Sequence, residues 1–244
     1  MKVDLSFNRS SFVQQFLLPL SKIADKIILQ INTNNIIATC STPDAGVVLC
    51  AEYKALFNVE SSITLNIPDI KKFLKLLDNI EDEDIKLVYK GNHLSYTSRA
   101  LKFNYYLLED GYVQRCPVSA SKIQLLESDS SFILTSHNLS EILKGQSIAS
   151  DAGKVYFFLQ EDGVYAELND KERQNINNII YHICDEHEGT NFNPLAVDLE
   201  ALRMLTGLKN SQFNVRINTK VGVLLFDIIE QYVNIRFAIS ALTK

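Results

Sequence analysis

Positive charge is scarce in this 244-residue sequence: 24 Lys and Arg stand against 29 Asp and Glu, leaving a net charge of −5. A generally basic nucleic-acid binder is thereby excluded, and any contact with DNA or RNA must come from a local patch. Long hydrophobic runs are also lacking, and nothing approaches the length that crosses a bilayer. The first residues, MKVDLSFNRS, have neither the apolar stretch nor the small-residue cleavage site of a secretory signal. Cys40, Cys50, Cys116 and Cys184 show no paired spacing, which argues against a disulfide framework and for reduced thiols. The sequons at Asn8 and Asn138 matter only in a secreted protein. No Gly-x4-Gly-Lys-Ser/Thr loop is present to hold a nucleotide phosphate. These absences predict a soluble cytoplasmic chain with no membrane contact and no cofactor.

What is present is a core, with 46% hydrophobic residues, and a pattern of short alternating segments rich in Ile, Val, Phe and Tyr. "KIILQINTN", "NIIATCS", "GVVLCAEY", "SSITLNI", "DIKLVYKG", "HLSYTSR" and "LKFNYYLL" read as antiparallel strands joined at turns such as Lys90-Gly91-Asn92 and Asp162-Gly163. Helical periodicity interrupts the strands at regular places and reveals a duplication. "LNIPDIKKFLKLL" has its counterpart in "LAVDLEALRMLTGL": a strand end, an Asp able to cap, then apolar residues at helical spacing. The flanking strands match as well. The pattern predicts an α+β fold of two similar domains, over 1–112 and 131–244, with 113–130 as a connector.

On a helical wheel, Ile70, Phe73, Leu74 and Leu77 share one side of the helix over 69–78, and Lys71, Lys72 and Lys75 share the other. The acids Glu81, Asp82, Glu83 and Asp84 follow the helix instead of alternating with the lysines. The helix over 136–148 turns Leu139, Ile142 and Leu143 inward and Lys144 outward. In the helix over 11–23, Phe12, Phe16, Leu20 and Ile23 share a face, with Gln14, Ser21 and Lys22 away from it. Pro19 predicts a kink or an early end there, because it cannot donate a backbone hydrogen bond. A lysine stripe of this kind is either a solvated face or a phosphate-facing surface.

Two strands, over 101–108 and 176–183, have no evident partner, and both are apolar. Either each pairs within its own domain, or the two pair between chains, head to tail, giving a closed ring or a fibre. Phe103, Tyr105, Leu107, Ile179, Tyr181 and Ile183 are the candidate contact residues. "YHICDEHEG" places His182, Cys184 and His187 close enough in sequence to suggest three metal ligands, but nothing supplies a fourth. No nucleophile pair has an accompanying oxyanion motif, so the expectation is that the chain is not an enzyme.

In the order of these segments the chain resembles the sliding clamps, ring-shaped processivity factors of DNA polymerases, and most closely the two-domain, trimeric clamps of T-even-like tailed phages. The resemblance runs through "IPDIKKFLKLLDNIEDEDIKLVYKGNHLSYTSRALKFNYYLL", "SSFILTSHNLSEILKGQSIASDAGKVYFFLQEDGVYAELND" and "FNPLAVDLEALRMLTGLKNSQFNVRINTKVGVLLFDIIEQYVNIRFAISAL". It implies a homotrimer in which two helices per domain line a hole around double-stranded DNA, contacted without regard to sequence. The hole-facing candidates are Lys22, Lys26, Lys71, Lys72, Lys75, Lys144, Arg203 and Lys209. It implies subunit contacts through the two apolar strands. It also implies a partner-peptide pocket involving Val118, Ile123, Leu125, Ile239 and Leu242, with the loop near 42–46. A DNA polymerase and an ATP-dependent clamp loader are the partners it implies. The second late helix departs from the pattern, carrying Glu200, Ala201 and Met204 where the first carries its three lysines. A ring-forming structural protein of a phage particle, built from duplicated β domains, is the alternative.

Overall fold

A computed structural model describes residues 2–173, 177–208 and 211–242. The chain divides into two compact units: Met1–Ala120 with Ile229–Ile235, and Ser121–Ile228 with Arg236–Lys244. The division falls inside the segment 113–130, which carries a short helix of its own, α3 (Ala120–Gln124). That residues 229–235 belong with the first unit is not readable from the sequence pattern.

The first unit contains two four-stranded antiparallel arrays. One is ordered β1 (Val3–Asn8), β6 (Asp84–Tyr89), β7 (His93–Thr97), β8 (Lys102–Tyr106). The other is ordered β5 (Ile63–Ile67), β2 (Ile27–Ile31), β3 (Asn35–Ser41), β4 (Val47–Lys54). The outer edge of β4 is occupied by residues 229–235 of the same unit, where Lys54 N–H donates to the Tyr232 carbonyl at 2.7 Å. Helices fill the space beside the strands: a π-helical segment (Ser10–Leu17) running into α1 (Leu18–Ile23), and α2 (Ile70–Asp78). An aromatic cluster holds the π-helical segment down, with Phe7 stacked on Phe12 at 4.0 Å and the Tyr53 ring edge-on to Phe12 at 5.3 Å. Such pairs add to the area term because ring faces and edges carry opposite partial charge.

The second unit repeats this plan strand for strand. β9 (Ser130–Thr135), β15 (Gln212–Asn218), β16 (Val223–Ile229) and β17 (Val233–Ser240, of which Arg236–Ser240 belongs to this unit) take the order of β1, β6, β7 and β8. β14 (Leu195–Asp198), β10 (Lys154–Gln160), β11 (Gly163–Asn169) and β12 (Ile179–Cys184) take the order of β5, β2, β3 and β4. A three-residue strand, β13 (His187–Gly189), adds to β9. The helices are α4 (Ser136–Gly145) and α5 (Leu199–Arg203). The expected α+β class and the duplicated antiparallel plan are both present. Among the described residues no helix is long and apolar enough to cross a membrane.

Three helical expectations need correction. The first helix starts as a π-helix, in which Leu18 N–H reaches back to the Val13 carbonyl. This wider winding shifts the phase of the wheel. Ser21, expected to face away, is therefore buried, with its hydroxyl donating to the Leu18 carbonyl at 2.7 Å. Pro19 sits in the first turn of α1, where its missing N–H does least harm. α4 ends at Gly145 instead of continuing to 148, and the Tyr181 hydroxyl fills the space that a side chain at 145 would need. α5 has five residues against nine in α2, and the chain then turns through Gly207 at φ 87°.

A candidate nucleic-acid interface on paired helices

In the first unit the two helices lie side by side and antiparallel. At one end Ile70 N–H donates to the Asp25 carbonyl at 2.9 Å; at the other, the Arg9 guanidinium donates to the Asp78 carbonyl at 3.0 Å. The arginine charge meets the negative end of the α2 dipole there. The second unit repeats the first of these contacts, with Leu199 N–H donating to the Gly153 carbonyl at 2.9 Å. The starts of α2, α4 and α5 carry side-chain caps, those of α2 and α5 being the Asp residues the sequence predicts. Asp69 accepts from Lys72 N at 2.8 Å, Thr135 accepts from Asn138 N at 3.1 Å, and Asp198 accepts from Glu200 N at 2.7 Å. Such a side-chain oxygen satisfies an amide that the helix itself cannot.

α2 buries Ile70, Phe73, Leu74 and Leu77 and leaves Lys71, Lys72 and Lys75 exposed, as the wheel predicts. The stripe is not purely cationic. Lys71 Nζ lies 2.8 Å from an Asp25 carboxylate oxygen, and that hydrogen bond and charge push the lysine pKa up. Asp25 comes from the turn after α1, more than a helix away in sequence. Lys26 beside it is exposed, whereas Lys22 is half-buried, with its pKa lowered by that burial. In the second unit Lys144 pairs with Glu141 at 2.8 Å, and Arg203 with Glu200 at 2.8 Å and with the Gln146 amide oxygen. Lys209 lies outside the described residues. Among the described candidates, Lys26, Lys72 and Lys75 are the exposed cations with no carboxylate partner.

β8 and β12 each end their sheets, β8 paired only to β7 and β12 only to β11 among the described strands. Of the six contact candidates, Tyr105 and Ile183 are buried in their own units, and Phe103, Leu107, Ile179 and Tyr181 are partly covered. Their side chains lie on the inward face. The Tyr105 ring packs on Phe73 at 4.8 Å, and its hydroxyl donates to the Asp69 carbonyl at 2.7 Å. The strongly exposed apolar side chains of these strands are instead Tyr106 and Ile180.

The pocket candidates fall in different settings. Ile123 and Ile239 are buried, Val118 is partly exposed, and Leu125 and Leu242 are exposed. Within the first unit a cleft of about 540 Å³ joins the start of the connector to the loop near 42–46, lined among others by Thr42, Pro43, Tyr112, Arg115 and Cys116. Those last three were missed, because nothing in their local pattern separates them from linker. Cys40 also lines the cleft, and its thiol pKa is pushed up by burial, then by Cys116 and Cys50 nearby.

His182 and Cys184 do not converge with His187. His182 Nε2 meets Asp185 at 3.1 Å and its ring lies edge-on to Tyr165, while the Cys184 thiol donates to the Glu186 carbonyl and His187 sits on β13. In the acidic turn, Asp82 accepts from the Tyr96 hydroxyl at 2.9 Å.

No family model matches the sequence, and no curated protein matches it. Solved structures do. The chain superposes on the A. fulgidus PCNA structure determined with the C-terminal region of FEN-1, with a TM-score of 0.80, 10% identity and 99% of each chain covered. Against Proliferating Cellular Nuclear Antigen from Entamoeba histolytica the TM-score is 0.77 at 15% identity, again with 99% of each chain covered. Against PCNA from Thermococcus kodakaraensis it is 0.74 at 16% identity, covering 98% of this chain and all of that one. Over nearly its whole length, this chain has the sliding-clamp fold of PCNA.

Proposed function

We propose that the chain is a sliding clamp: three copies form a ring around duplex DNA and hold a DNA polymerase at its template, with no catalysis of their own. The observation that carries this is the pairing of the clamp fold with an exposed lysine face on a helix of an otherwise acidic chain. Flexible, hydrated lysines give salt-sensitive attraction to phosphates without reading bases, which suits a protein that must slide. Encirclement turns escape of a bound enzyme into a tethered event and so raises its effective concentration at the primer end. An ATP-dependent loader would open the ring. The exposed residues Leu125 and Leu242, with the cleft beside Thr42, are the surfaces proposed for partner peptides, and the tailed-phage clamps remain the proposed relatives. The FEN-1 segment bound to A. fulgidus PCNA is a precedent for a clamp of this fold taking a partner's terminal segment.

Assembly follows from the duplication. In the first unit residues 229–235 cover the edge of β4, whereas among the described residues no strand pairs with the outer edge of β12, its counterpart, or of β8. An exposed apolar edge invites another strand. Joining β8 of one copy to β12 of the next is head to tail, and three such joints close a ring.

The test is topological. The protein is mixed with linear duplex, the ends are blocked with streptavidin, and salt is raised. A ring is retained until an end is freed by cutting, and the solution mass is three times 27.6 kDa. Replacing Lys71, Lys72 and Lys75 with Glu is expected to leave the mass unchanged and to abolish processive synthesis on primed circular DNA, because the attraction to phosphates is gone. Loss of all protein at high salt while the ends stay blocked, or unchanged processivity with the triple variant, refutes the proposal.

A further inference from the structure

We infer that the joint between copies is oriented by charge as well as by its apolar strands, with Arg99 and Lys102 of one copy meeting Asp185 and Glu186 of the next. The inference rests on the strand-joining part of the proposed function.

Side chains alternate along a strand, so a joined sheet must match inward face to inward face. In β8, Lys102, Asn104 and Tyr106 face out and Phe103 and Tyr105 face in; in β12, Ile180 and His182 face out and Tyr181 and Ile183 face in. Both parallel and antiparallel alignments centred on Asn104 opposite His182 satisfy this rule, so alternation alone does not choose.

Two observations do. Tyr106 is 61% exposed and Ile180 50% exposed. Antiparallel alignment sets them opposite each other, and on the inward face it pairs Phe103 with Ile183, Tyr105 with Tyr181, and Leu107 with Ile179. Parallel alignment sets Tyr106 against Cys184 and Lys102 against Ile180. Charge selects the same direction. Arg99 and Lys102, at the leading end of β8, are exposed and have no carboxylate partner among the described residues. Asp185 and Glu186 follow β12 directly and are exposed; the Asp185 carboxylate is engaged only by His182, and the Glu186 carboxylate has no ion pair among the described residues. Antiparallel alignment brings these opposite charges together. Parallel alignment sets Asp185 and Glu186 toward Glu109 and Asp110 instead. Like charges across an interface reject the wrong arrangement as effectively as opposite charges favour the right one.

Three variants test this: Arg99→Glu with Lys102→Glu, Asp185→Lys with Glu186→Lys, and all four changes in one chain. Circular dichroism checks that each is folded, and sedimentation at low salt measures self-association. Each two-site variant is expected to associate about tenfold or more weakly than the parent, and the four-site variant to recover. A one-to-one mixture of the two-site variants should associate more than either variant alone, since both joints between unlike copies are complementary and only joints between like copies are repulsive, while a three-membered ring, which must contain one like joint, stays disfavoured. Two-site variants that assemble like the parent, or a folded four-site variant that does not recover, overturn the charged joint while leaving strand joining intact. A parent chain that stays monomeric at every concentration overturns the joint itself.

Discussion

If the α2 face meets phosphates, its weakest contributor should be Lys71, and the structure says how to strengthen it. Asp25 holds the Lys71 ammonium at 2.8 Å, and both side chains are well exposed. Replacing Asp25 with Asn removes the competing charge and frees one cation per copy. An exposed ion pair of this kind contributes little to folding, so the variant should fold as the parent does. Each additional phosphate neutralised steepens the fall of log affinity with log salt by about 0.9. Over a fourfold rise in salt, from about 50 to about 200 mM, that amounts to about 3.5-fold more loss of affinity for one new contact, with tighter binding at the low end. Fluorescence anisotropy on a short labelled duplex measures both quantities. Lys71→Gln in the parent should change the slope little, since its charge is already offset, whereas in the Asp25→Asn background it should undo the gain. Lys72→Gln should lower the slope outright. If Asp25→Asn leaves the slope unchanged while Lys72→Gln lowers it, Lys71 does not reach a phosphate. If neither change moves it, the α2 face is not the DNA surface.

Two further outcomes follow from the packing around this face. The Tyr105 hydroxyl, whose pKa burial raises to about 12, donates to the Asp69 carbonyl and accepts from the Asp69 N–H. Tyr105→Phe leaves both backbone groups short of a partner and should destabilise the chain by about 1–3 kcal/mol in urea titrations; no change would mean that water replaces the hydroxyl. For Glu167, burial alone would raise the pKa, but hydrogen bonds from Asn178, Asn169 and Lys171 outweigh it and the net shift is downward. A depressed carboxylate stabilises the fold above its unfolded pKa and loses that contribution as pH falls through the lower folded value. Stability should therefore drop more between about pH 5 and about pH 3, a window that straddles the ordinary glutamate pKa, in the parent than in Glu167→Gln, and equal drops would refute the assignment.

Much of the fold was written in local pattern. The alternation in "DIKLVYKG" or "LKFNYYLL" needs only a strand with one covered face, and Asp69 and Asp198 announce their helices through capping oxygens that their own segments supply. What the sequence hid was long-range. Asp25 reaches Lys71 only because α1 and α2 run antiparallel, so a stripe that is cationic on the wheel is partly neutralised in space. The π-helical start of the first helix, which turned Ser21 inward, reflects packing of Phe12 and Phe16 around Tyr53 and has no signature in helical spacing. The connector side chains around the cleft, Tyr112 and Arg115 among them, sit in a segment without periodicity, where no rule separates a wall residue from a linker residue.

The same geometry ties the two proposed surfaces together. In the first unit the edge strand β8 touches the start of the lysine-bearing helix, because Tyr105 is bonded to Asp69, the residue that caps α2. In the second unit the edge strand β12 touches the end of the other helix, because Tyr181 occupies the space beside Gly145, the last residue of α4. Under antiparallel joining these two tyrosines face each other across the contact. A path of packed side chains then runs from α2 of one copy, through Tyr105 and Tyr181, to α4 of the next. Closing the joint would thus fix helix ends on both sides of it, the start of the lysine-bearing α2 on one side and the end of α4 on the other.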